Sequence, residues 1–426
     1  MIESEVFLSG LDRLLKIPSV REVAEEDAPF GKQSRMALEE IVKIARELGF
    51  QARMVKNVAA VVEYGYGEEY FGIFGHLDVV PAGCGWSVPP YQLNDCGEKF
   101  IARGVLDNKG PIFTCLYALW RLKEEGFTPV IPIRIVFGSS EETGSEDMSI
   151  YLENEPPALF GFTPDGKFPA IYGERGLVNF SIRTTLDRAA LKNLSEISGD
   201  QSRAFVPDHL SVSYNQKEIT ALGKKAPSNA PELGENAITL LAKKLLEEKL
   251  PEKLREYFTW LVETMHEKHF GEGLGLDFSD EESGKTIITP VNFQKYENAL
   301  EIELAVRYPV TVSEEELTHA LEKHLPSETQ VEVVRRIPGV VKDKNQWWIQ
   351  ELSKIYEDFT GLSGKPTTTT GATYARSVPN IIAFGPSFPG QKGIAHNADE
   401  YMLKEDFEKL YEIYKESIKV LSSHQF

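Results

Sequence analysis

The run IPIRIVFG, Ile131 to Gly138, is apolar at almost every position and breaks off into small residues and acids, SSEE. A strand of that kind has no wet face, so the sheet it joins must be covered on both sides. FGIFGHLD, Phe71 to Asp78, has the same character, and NVAAVVEYG before it is a further extended run. Helical patterns lie around them. SRMALEEIVKIARELGF, Ser34 to Phe50, carries apolar residues at three-to-four spacing behind a serine that predicts the cap. PIFTCLYALWRLKEEGF, from Pro111, puts proline in a first helical turn. Buried strands separated by helices predict an α/β domain with a mixed central sheet flanked by helices.

From about Gly176 to Pro338 the pattern changes. GLVNFSIRTT and ALEIELAVRYP alternate polar and apolar residues, and NAITLLAKKLLEEKL between them is helical. This predicts an α+β lid domain inserted into the first. A helix at Gln346 to Thr360, a strand at NIIAFG and a helix at Lys404 to Leu421 then return to the α/β pattern. The expected division is residues 1–175 and 339–426 as one discontinuous catalytic domain and 176–338 as the lid. The length of 426 residues suits two or three compact units.

Lysine and arginine number 46 against 65 aspartates and glutamates, a formal charge of −19. Phosphate backbones and anionic membrane surfaces repel such a chain, which argues against nucleic-acid or membrane partners. Cys84, Cys96 and Cys115 cannot all pair and show no CxxC spacing, which excludes a disulfide framework. Acids stand in the first residues where a secretory signal needs basic ones, and no apolar run reaches the roughly 20 residues of a membrane span. The expectation is a cytoplasmic protein.

Imidazoles and carboxylates gather where the predicted strands end. FGHLDVVPAG supplies His76 and Asp78, two apart and hence on one side of an extended backbone. ARGVLDNKGP supplies Asp107, FGSSEETGSED the adjacent Glu141 and Glu142, FTPDGKFP Asp165, and KGIAHNADEY His396. Ligands of open α/β sheets collect at strand ends, so these segments can converge. Each residue also has a plainer role: a lone histidine in an apolar strand is commonly a core residue, adjacent glutamates can cap a helix, and Asp165 after a proline can belong to a turn. Taken together they have the composition of a two-metal hydrolytic site. Asp107 would bridge, His76 and Asp165 would serve one divalent ion, and Glu142 and His396 the other. Three carboxylates against two divalent cations leave about one positive charge, which suits a metal-bridging water as nucleophile. Glu141, unliganded beside it, has the character of the general base, and Asp78 can accept the second ring N–H of His76.

The segments FGHLDVVPAGCGW, ARGVLDNKGP, FGSSEETGSED, FTPDGKFPAIYGERG and AHNADEYM resemble the signatures of the aminoacylase/carnosinase clan of dinuclear metallohydrolases. RYPV at Arg307 and the tail TYAR…PNIIAFGPSFPGQ…AHNADEYM make PepV-like bacterial dipeptidases the most similar subgroup. The resemblance spans about residues 10 to 421. It implies two zinc ions, or manganese or cobalt, on His76, Asp107, Glu142, Asp165 and His396, with Glu141 as base and Asp78 orienting the histidine. It also implies that Arg307 of the lid meets a substrate carboxylate and that glycine backbone near TYAR, Gly371, lines the substrate site. Members are monomers or dimerise through the lid.

One departure bears on rate. In GKKAPSNAPELGENA the clan's oxyanion-stabilising histidine is replaced by Pro227, which has no donor of any kind. Loss of one such donor costs on the order of 100- to 1000-fold. His209, in AFVPDHLSVSY, is a candidate substitute or an ordinary surface residue. Asn108 stands where a second acid is usual, Thr370 and Ala372 where glycines are, and Ala305 where an acid is. The expected function is a metal-dependent dipeptidase cleaving short peptides with a free carboxylate. The alternatives are an N-acyl-amino-acid amidohydrolase and a catalytically weakened peptide-binding protein.

Overall fold

The computed structural model describes residues 4–391 and 393–425. Two compact units emerge: Met1–Tyr172, Lys342–Thr367 and Gly371–Phe426 form the first, and Gly173–Val341 with Thr368–Thr370 the second.

The first unit is built on a mixed sheet. Gln51–Val55 and Ala59–Tyr64 form an antiparallel hairpin. Its turn has positive φ at Lys56 and Asn57 and a Val58 N–H to Val55 carbonyl bond, the type I′ geometry that matches strand twist. Ala59–Tyr64 lies antiparallel to Ile133–Gly138. Ile133–Gly138, Phe71–His76, Phe160–Thr163 and Ile381–Ala383 then run parallel in that spatial order.

Alternate residues of each strand supply two cores. Ile133, Ile135, Phe137, Phe71 and Ile73 join helices Glu5–Leu15, Lys32–Glu47, Lys109–Glu124, Trp347–Thr360 and Lys404–Ser422 on one face. Val136 and Phe74 join Met148, Tyr151 and Tyr374 on the other. Both faces are dry, as the near-continuous apolar runs require. Trp347 and Trp348 are packing residues, edge-on and stacked against Phe160.

One local expectation fails. The second helix begins at Lys32, behind Gly31 at φ 103°, and Ser34 is buried in its first turn rather than capping it. A Cβ at Gly31 would fall 2.5 Å from that of Glu22, so the chain reverses on a glycine three residues before the serine.

The second unit is α+β. Its antiparallel sheet runs in the order Ile287–Lys295, Ala299–Tyr308, Gly176–Thr185, Thr329–Ile337. Val178, Phe180, Ile182, Leu300, Ile302, Leu304 and Val306 face a core shared with helices Ala237–Leu246, Glu252–Met265 and Glu314–Glu322. The three cysteines are free. No helix among the described residues is long and apolar enough to cross a membrane.

Candidate metal centre

Three adjacent parallel strands end together, and each hands its chain to a charged turn. Phe71–His76 delivers His76 and Asp78, its neighbour Ile133–Gly138 delivers Glu141 and Glu142, and Phe160–Thr163 on the other side delivers Asp165. Asp107 lies just before helix Lys109–Glu124, joined to Asn108 by a cis peptide. His396 comes from the loop before Tyr401–Leu403, with its backbone in the left-handed region at φ 65°. That conformation costs a non-glycine residue about 1 kcal/mol or more.

Asp107 stands at the middle. Its Oδ1 is 3.1 Å from His76 Nε2 and its Oδ2 is 2.9 Å from His396 Nε2. Asp165 Oδ2 is 3.6 Å from His76 Nε2, and Glu142 Oε1 is 3.1 Å from His396 Nε2. Candidate ligand atoms of His76, Asp107 and Glu142 all lie within 4.8 Å of one another, as do those of His76, Glu141 and Asp165. The five expected ligands and Glu141 are therefore brought together within the first unit.

Asp78 acts differently from the expectation. His76 Nδ1 is 2.9 Å from the Asp78 backbone carbonyl and 3.4 Å from its carboxylate. The carboxylate instead accepts the N–H groups of Glu141 at 3.2 Å and Glu142 at 3.1 Å. Asp147 accepts those of Ser139 at 2.6 Å and Ser140 at 3.0 Å, and takes the Tyr374 hydroxyl as well. Two buried carboxylates thus hold four consecutive N–H groups, 139 to 142, in the turn that carries Glu141 and Glu142. A third, Glu400, accepts the N–H groups of Gly104, Leu106 and Asp107 at 3.0, 2.9 and 3.1 Å and pairs with the buried Arg103 at 2.7 Å. The N-terminal segment braces the same turns. Ser19 Oγ donates to the Leu77 carbonyl, Arg21 reaches Ser140 Oγ at 2.9 Å, and Lys109 Nζ donates to the Leu14 and Ile17 carbonyls. Sequence reasoning missed Asp147, Glu400, Ser19 and Arg21 in these roles. The available signal was acids placed within otherwise small or apolar turns.

The electrostatics follow from crowding. Burial works against a charged His76 ring, but Asp165, Asp107 and Asp78 outweigh it and its pKa lies well above 6.5. Hydrogen bonds to Asp107 and Glu142 raise His396 as well. Asp107 is depressed in spite of its burial, because both imidazoles bond to it. Burial and then Asp107 push Glu142 up to about 7, and burial with Asp165 raises Glu141 well above the usual carboxylate range. Carboxylates this close need positive charge among them. The donor set fits a pair of divalent cations: one carboxylate offers an oxygen to each side, and mixed imidazole and carboxylate donors suit borderline metals.

The three expected substrate contacts have local partners of their own. In the second unit, Arg307 Nη1 donates to the Ser228 carbonyl at 3.1 Å, and Pro227, the residue before, is exposed and bridges Phe205. His209 is exposed at the start of His209–Tyr214, opposite Leu222. Gly371, in the first unit, accepts Arg376 Nη2 on its carbonyl at 2.8 Å.

The sequence profile of Peptidase family M20/M25/M40 matches residues 72–420. A Staphylococcus haemolyticus protein is 30% identical across 96% of both chains. The Beta-Ala-Xaa dipeptidase of Lactobacillus delbrueckii subsp. lactis is 28% identical, across 99% of this chain and 97% of its own. The crystal structure of human carnosine dipeptidase 1 superposes with a TM-score of 0.60 at 14% identity, covering 97% of this chain and 96% of that one, a likeness of fold.

Proposed function

The chain belongs to peptidase family M20/M25/M40, and on that premise we propose that it is a metal-dependent dipeptidase acting on short peptides with a free carboxylate. The observation that carries the reading is Asp107, whose two oxygens reach two different imidazoles. His76 and Asp165 would hold one cation and His396 and Glu142 the other, with Asp107 shared. Zinc suits the donors, and manganese or cobalt are the alternatives. When bound, the cations supply Lewis-acid polarisation of the scissile carbonyl and acidify water.

The protein's own residues do the rest. Glu141, raised by burial and by Asp165, is the proposed general base that accepts a proton and returns it to the leaving amine. Asp78 and Asp147 fix the turn that aims it. Arg307 is the proposed partner of the substrate carboxylate, with Gly371 and His209 as further substrate contacts. A cytoplasmic location and a monomer or lid-mediated homodimer belong to the same proposal.

The test is a panel of dipeptides, including β-alanyl ones in view of the Lactobacillus relative, beside N-acetyl and N-succinyl amino acids, with zinc, manganese or cobalt. Dipeptides should be cleaved, and Glu141→Gln should lower kcat on the order of 100- to 10,000-fold with metal content unchanged. Faster turnover of the N-acyl compounds would make the protein an amidohydrolase. No turnover of either class would sink the reading.

A further inference from the structure

Asn108 is fully buried and its side chain ties two strands together. Pairing between Phe71–His76 and Phe160–Thr163 runs from Phe71↔Phe160 to Ile73↔Phe162, after which the strands part. Beyond that point the Asn108 carboxamide lies between them. Its Oδ1 accepts the His76 N–H at 3.2 Å, and its Nδ2 donates to the Pro164 carbonyl at 2.5 Å. One partner can only donate and the other only accept, so the amide has one permitted orientation. It acts as a peptide group lent by a side chain, completing a rung where the backbone ladder has stopped. Gly75 leaves the room: a Cβ there would fall 2.5 Å from Asn108 Oδ1.

We propose that Asn108 is a positioning residue that sets the spacing of His76 and Asp165, and so the geometry of the cation they share. The residues it grips are His76 itself and Pro164, directly before Asp165, while its own backbone follows Asp107. An aspartate at this position has the same shape and can still accept from His76, but its ionised carboxylate cannot donate to Pro164. A leucine keeps the bulk and loses both ties. The inference rests on the two-cation reading.

Zinc titration of chelator-stripped protein by calorimetry separates the two. Wild type binding two zinc ions upholds the reading of the site; wild type binding none removes that reading and the inference with it. Given two, Asn108→Leu should weaken one of the two sites on the order of 10- to 100-fold and leave the other near its wild-type affinity. Its kcat should fall with KM little changed. Asn108→Asp discriminates further and serves if the leucine variant does not fold. Its added negative charge alone would tighten cation binding, so weaker binding at one site supports the lost tie to Pro164. Equal or tighter binding at both sites in a folded variant overturns the proposal, as does a fall in melting temperature with unchanged zinc affinity.

Discussion

Burial pushes the Asp147 carboxyl up to about 6 from an ordinary 3.8, and Asp78 adds to it, against hydrogen bonds from Tyr374 and the Ser139 and Ser140 N–H groups. The folded protein therefore prefers the neutral form more than the unfolded chain does. That contribution is fully present below about pH 4 and is lost as the pH rises through about 6. A difference of about two pH units corresponds to about 3 kcal/mol. In metal-free protein, urea unfolding should show wild type losing about that much stability between pH 4 and 7 relative to Asp147→Asn. Parallel profiles for the two proteins would refute the assignment. His76, Glu142 and Asp165 were legible as candidates because an imidazole or carboxylate behind a buried apolar strand has no packing reason to be there; Asp107 and His396 lie away from those strands and were singled out with the motifs around them. The roles of Asp147, Glu400 and Asn108 were not legible, because what each does depends on which N–H groups a turn presents to it. The same holds for Asp78: its spacing from His76 was readable, but its carboxylate serves the turn of a neighbouring strand.

One of the three strands that carry the site ends on a glycine. Gly138 closes Ile133–Gly138, and a Cβ there would collide with Tyr374 Oη and Asp147 Oδ2. Neither neighbour can retreat freely, since Tyr374 is fully buried and Asp147 also holds two backbone N–H groups. Gly138→Ala should destabilise the protein by about 1–3 kcal/mol. It should also lower kcat by displacing the Glu141 turn; a melt and a rate equal to wild type would show that the turn adapts. The long buried strands and the amphipathic helices were readable from periodicity. A two-residue strand such as Gly166–Lys167 was not, because two residues carry no period and its pairing comes from distant chain, Pro386–Ser387. The early start of the second helix was hidden for a related reason: Gly31 turns the chain through its closeness to Glu22, a contact the local pattern does not contain.

At the scale of the molecule, every expected ligand belongs to the first unit. Metal should therefore stabilise that unit by mass action. At free metal a hundredfold above Kd, one site contributes about 2.7 kcal/mol. For a unit of this size, chelation should lower the associated calorimetric transition by about 5–10 °C. A transition indifferent to chelator would exclude tight binding at these residues. The order of the ligands along the chain has a consequence in time. His76, Asp107, Glu142 and Asp165 precede the second unit, whereas strand Ile381–Ala383 and His396 follow it. From Asp165 to His396 is 396 − 165 = 231 residues, about 12–46 s of synthesis at about 5–20 residues per second. For that interval the nascent chain offers a half-built acidic cup whose last imidazole has not yet been made. On the two-cation proposal, the second site is complete only once His396 has been made.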